Sequence, residues 1–323
     1  MNISVVIPVR NDIENLRICI DYIRTSSKKP SEILIVDDAS DEEIGKGLSN
    51  MGVSIIRLDK QSGPSYARNI GANAAKGDVV LFLDSDVFIR EDTIEKIIHE
   101  FEERGEEAVM GVFDDYQHYR RFFSDYKNLW MKYSYEKIPE RAALFYTSLA
   151  AIKKDVFLKV GGFDVGYNRP STEDTAFGNI LWNNGIKPLI NPEIKAIHNK
   201  EYSFYGILKT DFFRASDLLK MKLRKDMGKL LDGNRTSVPI FFIISVFTTV
   251  MALFVSFTSG RYYLLIPLLL LSILLNLDFL RWLFKRRGFF FALKAATFIP
   301  IDHLAVFAGM VSGFFSYFMG KRY

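Results

Sequence analysis

The sequence predicts an α/β fold, a mostly parallel sheet covered by helices on both faces, followed by a C-terminal α-helical transmembrane region. Three features carry that reading. Short apolar runs alternate with stretches of helical periodicity from Ile3 to Phe113, the pattern of parallel strands joined by crossover helices. Acidic pairs follow directly on two of those runs. Charged and apolar residues are mixed up to about Arg235, whereas beyond Ser237 the chain turns rich in Phe, Leu, Ile and Val.

Ile3–Ile7 is an apolar run ended by Pro8, as a buried strand requires. Asn11 to Arg24 places Ile13, Leu16, Ile20 and Ile23 at helical spacing. Ile33–Val36 reads as a second buried strand ending in Asp37-Asp38, and Val53–Leu58 as a third. Pro64 to Ala75 is a helix opened by Ser62-Gly63, with proline in the first turn where its missing N–H costs nothing. Val79–Leu83 is a fourth strand, ending in Asp84-Ser85-Asp86. A helix over 91–103 and a strand over 108–113 follow. Tyr119, Phe122, Phe123, Tyr126, Leu129, Trp130 and Tyr133 then form an aromatic stripe on one helix face, suited to packing on the domain or to a membrane-facing or acceptor-side surface. Ala142–Ile152 reads as a strand and Asp155–Val160 as a short helix closed by Gly161-Gly162.

Residues 1–200 therefore read as one domain and 201–236 as an amphipathic helical region. In the latter, Lys209, Lys220, Lys222, Arg224, Lys225 and Lys229 face away from an apolar side, as on an interfacial helix or a helix packed on the sheet. Residues 237–323 read as a transmembrane region. Spans are expected at about 238–258 and 262–280, with a third over 303–319. Only Ser259-Gly260-Arg261 separates the first two, so they form a hairpin. Basic residues precede the first span, and Arg281, Lys285, Arg286 and Arg287 follow the second. Both clusters mark the cytoplasmic side, and the catalytic domain is expected there. Lys321 and Arg322, after the third span, run against that rule.

The net charge of +4 is modest and makes no case for a nucleic-acid partner. The single cysteine, Cys19, excludes an internal disulfide and a cysteine-based zinc site, and its helical neighbours suggest a buried thiol. Met1 to Pro8 reads as a strand, with no secretory signal pattern.

In parallel sheets of this kind ligands bind beyond the carboxyl ends of the strands, where the acidic residues stand. Asp84 and Asp86, separated by one residue in a tight turn, can face one ligand. A divalent cation bridging a sugar diphosphate needs that arrangement, although Asp-x-Asp also occurs in solvated, helix-capping turns. Asp37-Asp38 can accept from a base N–H or a ribose hydroxyl, or yield to capping by Ser40 or Asp41. In Gly63 to Gly71, small residues permit close approach at a helix start, and Arg68 offers a donor fork to phosphate. Neither a P-loop nor the dinucleotide fingerprint Gly-x-Gly-x-x-Gly is present.

Together these segments resemble the family 2 glycosyltransferases, which have the GT-A fold. The resemblance runs from Ile3 to about Arg214. It rests on Val6-Ile7-Pro8-Val9-Arg10-Asn11-Asp12, Ile35-Val36-Asp37-Asp38-Ala39-Ser40, the Gly63–Gly71 segment and Leu81-Phe82-Leu83-Asp84-Ser85-Asp86. Val160-Gly161-Gly162-Phe163-Asp164 and Thr172-Glu173-Asp174 extend it. The resemblance implies a nucleotide-sugar donor, commonly a UDP-sugar, a divalent metal (Mg2+ or Mn2+), and an inverting transfer. It implies that Pro8, Val9 and Arg10 line the base, that Asp38 contacts it, and that Asp84 and the neighbouring Ser85 meet the ribose or donor sugar. Asp86 would be the metal ligand. His198 would complete that site or be structural. Asp174 would be the general base. Gly161, Gly162 and Phe163 would floor the acceptor side, with Glu173 beside them. Where Arg10 stands the family often has an aromatic residue.

Two departures shape the functional reading. The Gln-x-x-Arg-Trp motif of processive synthases is replaced by Asp211-Phe212-Phe213-Arg214-Ala215, which argues against processive polymerisation. Glu173-Asp174 favours a hydroxyl acceptor over a polyprenyl phosphate, which needs no base. The expectation is transfer of one sugar to a glycolipid or lipid-linked glycan in cell-envelope biosynthesis. A polyprenyl-phosphate glycosyltransferase is the rival, and a non-catalytic membrane scaffold the remote alternative.

Overall fold

The computed structural model describes residues 1–48, 50–167, 169–224 and 238–321. The chain divides into two compact units, Met1–Tyr119 with Ile138–Lys200, and Arg120–Lys137 with Glu201–Tyr323.

The first unit begins with β1 (Ile3–Val9), α1 (Ile13–Thr25), β2 (Glu32–Asp37), β3 (Ser54–Arg57), α2 (Pro64–Ala74), β4 (Val79–Leu83), β5 (Val87–Ile89), α3 (Thr93–Glu102) and β6 (Ala108–Phe113). After α4 (Phe122–Lys137), which belongs to the second unit, it resumes with β7 (Leu149–Lys153), α5 (Lys154–Lys159), α6 (Glu173–Asn183) and β8 (Leu189–His198). The eight strands form one sheet in the order β3-β2-β1-β4-β7-β6-β8-β5. The half from β3 to β4 is parallel. Strand β7 runs antiparallel to both β4 and β6, and β5 antiparallel to β8. With β6 and β8 also parallel, the sheet is mixed with four of its seven strand pairings parallel, in keeping with the mostly parallel sheet expected. Leu81, Phe82 and Leu83 of β4 and Val5, Val6 and Ile7 of β1 are fully buried, as central strands covered on both faces must be.

The strand expected over 142–152 begins only at Leu149. Upstream, the backbone of Leu144 lies against Gly178 of α6 so closely that a Cβ there would come within 2.4 Å of it. Asn179 Nδ2 donates to Ala143 O at 3.0 Å. The helix holds this segment, so it has no need of a ladder partner. In β6, Gly111 marks a register shift between Met110 and Val112, and a Cβ at this position would meet Leu149 and Ile194.

The second unit contains α4, α7 (Phe204–Leu223), α8 (Ile240–Thr258), α9 (Leu265–Leu275), α10 (Leu277–Arg287) and α11 (Phe289–Phe318). The aromatic stripe of α4 packs inside this unit. Tyr126, Leu129 and Tyr133 are buried with Phe279, Leu283 and Phe298. The 1–200 domain read from the sequence therefore loses residues 120–137 to the C-terminal helices. Periodicity showed the stripe but not its partner.

Helix α8 matches the first expected span, and α11 is a second helix long and apolar enough to cross a membrane. The span expected over 262–280 is broken, because α9 and α10 bend by 65°. At the break Asn276 leaves helical geometry and donates Nδ2–H to Ser245 Oγ (2.6 Å) and Ser272 O (3.0 Å). The third span is longer than expected, one 30-residue helix with Pro300 inside it. The amphipathic region appears as α7 up to Leu223, and its residues 225–236 lie outside the described residues. Helix α7 packs along α11. Gly309 and Gly313 bring the two backbones together, since a Cβ on them would lie 2.1 Å from Phe212 O and 2.4 Å from Ser216 O.

Candidate active site

The site lies at the carboxyl ends of β1, β2 and β4. After β1 the chain turns through Asn11, at φ 55°. Its side chain donates to Asp41 (2.9 Å) and accepts from Asp41 N (2.8 Å), joining the β1 and β2 exits. Pro8 is half-buried, Val9 buried and Arg10 exposed, with Arg10 3.8 Å from Asp41. Asp37, at the end of β2, pairs with Arg57 at 2.5 Å and accepts from Ser40 N. Asp38, expected at a base, accepts from the backbone N–H groups of Ser62 (2.6 Å) and Gly63 (2.9 Å). Its carboxylate thereby fixes the approach to α2.

Arg68, expected at a phosphate, is buried and engaged with carboxylates on two other elements. Nη2 donates to Asp84 at 2.8 Å and Nη1 to Glu173 at 3.0 Å. The fork geometry of guanidinium suits such bridging. Glu173 also accepts from Ser171 N at 2.8 Å, which shapes the entry to α6. Asp174 follows it in the first turn of α6, half-buried, with Oδ1 accepting from Thr175 N at 2.5 Å.

Asp84-Ser85-Asp86 forms the turn between β4 and β5. Ser85 Oγ donates to Asp12 at 2.9 Å, and Asp12 also accepts from Asn15. Strand β5 pairs with β8 so that Val87 faces His198, and Asn199 N donates to Asp86 O at 2.7 Å. This short ladder joins the Asp84–Asp86 turn to His198, 112 residues later. The imidazole is buried and stacked on Phe113, with ring centroids 4.5 Å apart and planes 5° apart. Its Nε2 lies 4.0 Å from Asp86 Oδ2, and Lys200 Nζ lies 3.6 Å from the same oxygen.

The electrostatics follow from burial. Desolvation, aided by Lys200, pushes the His198 pKa down to about 3, so the imidazole is neutral and keeps a lone pair. Desolvation raises the Asp86 carboxyl to about 6, with Lys200 opposing and Asp84 and Asp12 adding to the rise. A divalent cation that accepts both oxygen and imidazole nitrogen suits this donor pair. A carboxylate oxygen and an imidazole nitrogen 4.0 Å apart can both reach one ion at bonds of about 2.1 Å. Among the described residues no group of three or more His, Cys, Asp or Glu closes on one point, so further ligands would come from the diphosphate and water.

The acceptor-side residues divide. Gly161 and Gly162 adopt φ of 89° and 70°, which favours glycine. Phe163 is buried among Phe82, Phe157 and Phe177 and is a core ring rather than an open floor. Asn69 pins the segment, donating to Phe163 O (2.8 Å) and accepting from Phe163 N (2.9 Å). The residues that sequence reasoning did not single out are Asp12, Asn69 and Lys200. Asp12 and Asn69 stood in quoted motifs, and Lys200 follows His198 by two positions on an extended end. Their roles depend on contacts across the sheet.

The Rossmann-like mixed sheet, with its acidic turn at the carboxyl edge, has the fold of GT-A domains. Residues 4–161 match the family Glycosyl transferase family 2. The glycosyltransferase GlyG of Streptococcus pneumoniae is 29% identical over 119 residues, 35% of this chain and 40% of that protein. A glucosyl-dolichyl phosphate glucuronosyltransferase of Haloferax volcanii is 28% identical over 160 residues, 46% of this chain and 51% of that one. The chain thus spans about half or less of the length of these curated relatives. Among solved structures, the mannosyltransferase PcManGT from Pyrobaculum calidifontis, in complex with GDP-Man and Mn2+, superposes with a TM-score of 0.57. The match covers 98% of this chain and 87% of that one at 15% identity, a likeness of fold.

Proposed function

We propose that this chain is an inverting, metal-dependent glycosyltransferase that moves one sugar from a nucleotide-sugar donor to a hydroxyl of a membrane-associated acceptor. The observation that carries this reading is the placement of Asp86 beside a neutral His198 at the strand ends. A divalent cation bound there would neutralise the diphosphate as it leaves. Asp86 and His198 hold it, while Arg68 holds Asp84 and, through Glu173, the start of α6. Asp174 accepts the proton of the acceptor hydroxyl as that oxygen attacks the anomeric carbon. The C1–O bond to the diphosphate breaks as the new glycosidic bond forms. One such displacement inverts the anomeric centre.

The C-terminal helices support a membrane-borne acceptor. The name of the Haloferax relative specifies glucosyl-dolichyl phosphate, a lipid-linked sugar. The donor is a UDP- or GDP-sugar in cell-envelope glycan synthesis, and the basic clusters flanking the first two apolar segments support a catalytic unit on the cytoplasmic side. Purified protein is assayed with nucleotide sugars, Mn2+ or Mg2+ and a membrane lipid extract. Metal-dependent transfer that Asp86→Ala abolishes is the expected result. Asp174→Asn should lower transfer to hydroxyl acceptors by about 10²–10⁴-fold. Full activity of Asp174→Asn, or transfer to polyprenyl phosphate alone, overturns the base and hydroxyl assignments.

A further inference from the structure

Two residues, His198 and Asn199, anchor the chain just before Lys200. His198 ends β8, opposite Val87 of β5. Asn199 then donates its N–H to Asp86 O at 2.7 Å, and its side-chain Nδ2 to Asn15 at 2.8 Å. Lys200 leaves this anchored end with half its side chain exposed, and its ammonium reaches within 3.6 Å of Asp86 Oδ2. That oxygen is the one nearest His198 Nε2. Asp84 and Asp12 add further negative charge near it. The ammonium therefore stands against the carboxylate oxygen that a divalent cation would take.

A cation arriving alone must displace or repel that ammonium. At 4 Å, charges near a protein surface interact appreciably even at an effective dielectric constant of about 20. A cation arriving with a diphosphate brings negative charge of its own, to which a flexible lysine can turn. The stem is long enough to move the ammonium by several ångströms without disturbing Asn199.

We propose that Lys200 is the resident counter-ion of the cation position. It holds Asp86 in the donor-free protein, weakens binding of a bare divalent cation, and transfers its charge to the donor diphosphate on loading. Lys200 thereby makes cation and nucleotide binding mutually dependent, so that the metal enters with the donor. It rests on Asp86 and His198 being the cation ligands.

The test uses the full-length protein in detergent and two binding readouts. Free Mn2+ is followed by electron paramagnetic resonance in titrations without nucleotide. UDP and GDP binding is followed by calorimetry with and without Mn2+. Lys200→Gln should bind Mn2+ alone about tenfold more tightly than the unmodified protein and bind the nucleoside diphosphate with Mn2+ about tenfold more weakly. Lys200→Arg, which keeps the charge, should retain weak binding of Mn2+ alone, and it guards against misfolding of the glutamine variant. Asp86→Ala should lose Mn2+ binding in every condition. Unchanged Mn2+ affinity in Lys200→Gln, with Asp86→Ala still abolishing binding, overturns the role of Lys200 and leaves the cation site standing. Undiminished Mn2+ binding in Asp86→Ala overturns both.

Discussion

Arg68 on α2 and Glu173 at the start of α6 meet at 3.0 Å, across 105 positions of chain. Both are buried, and Asp84 completes the bridge from the end of β4. Three separate elements of the first unit are therefore set by one guanidinium. The two carboxylates it holds adjoin residues proposed for chemistry, since Glu173 precedes Asp174 and Asp84 precedes Asp86 by two.

Removing one member of such a buried pair leaves the other charge uncompensated, at a cost of about 3–5 kcal/mol. Arg68→Met should lower the unfolding midpoint of the detergent-solubilised protein and reduce transfer through both donor and acceptor steps. Glu173→Gln, which keeps volume and one acceptor oxygen, should cost less in stability. Thermal unfolding followed by circular dichroism, with kcat and KM on each substrate, separates the two. Equal stability of Arg68→Met and the unmodified protein would contradict the bridge.

The paired glycines offer an internal control. Both have positive φ, so alanine carries a backbone cost of about 1–2 kcal/mol at either position. A Cβ on Gly161 meets open space, whereas one on Gly162 would sit 2.6 Å from Asn69 Oδ1. Gly162→Ala should thus lower the unfolding midpoint more than Gly161→Ala, because it must also disturb the Asn69–Phe163 hydrogen bonds. Asn69→Ala combined with Gly162→Ala should be less than additive.

In the second unit, Lys127 of α4 is ion-paired with Asp211 of α7, both buried. Lys127→Met alone leaves an unpaired buried carboxylate and should destabilise the protein by about 3–5 kcal/mol. Lys127→Met with Asp211→Leu removes both charges and should recover most of that loss. Unfolding of the single and double variants in detergent measures it. A double variant as unstable as the single one would show that the pair is not the source.

Membrane topology can be read with a cysteine at the hairpin tip. Cys19 is buried and gives a quiet background. With both basic clusters cytoplasmic, Ser259→Cys in intact cells should react with a membrane-impermeant maleimide before permeabilisation. Labelling only after permeabilisation would reverse the assigned orientation.

The parallel half of the sheet was legible in the sequence because each of its strands is an apolar run closed by polar or turn residues, and each carries its own local signal. The antiparallel insertion of β7 was not, because strand order and direction are set by pairing between distant segments. The individual acidic residues and Arg68 were equally visible, but the protein partners of Arg68 and Asp38 were not. The structure engages them with protein groups, a choice made by partners that lie far away in the chain. The aromatic stripe of α4 shows the same division, for its periodicity is local and its burial against Phe279 and Phe298 is not.

By itself the sequence determined the fold class, the apolar helices and the acidic strand ends, since hydrophobic period and composition act over a few residues at a time. Only the tertiary structure decided that His198 stands 4.0 Å from Asp86 with Lys200 at its side, and that α4 leaves the first unit for the second. Those outcomes depend on hydrogen-bonded ladders and buried contacts between segments separated by a hundred residues or more, and no local pattern encodes them.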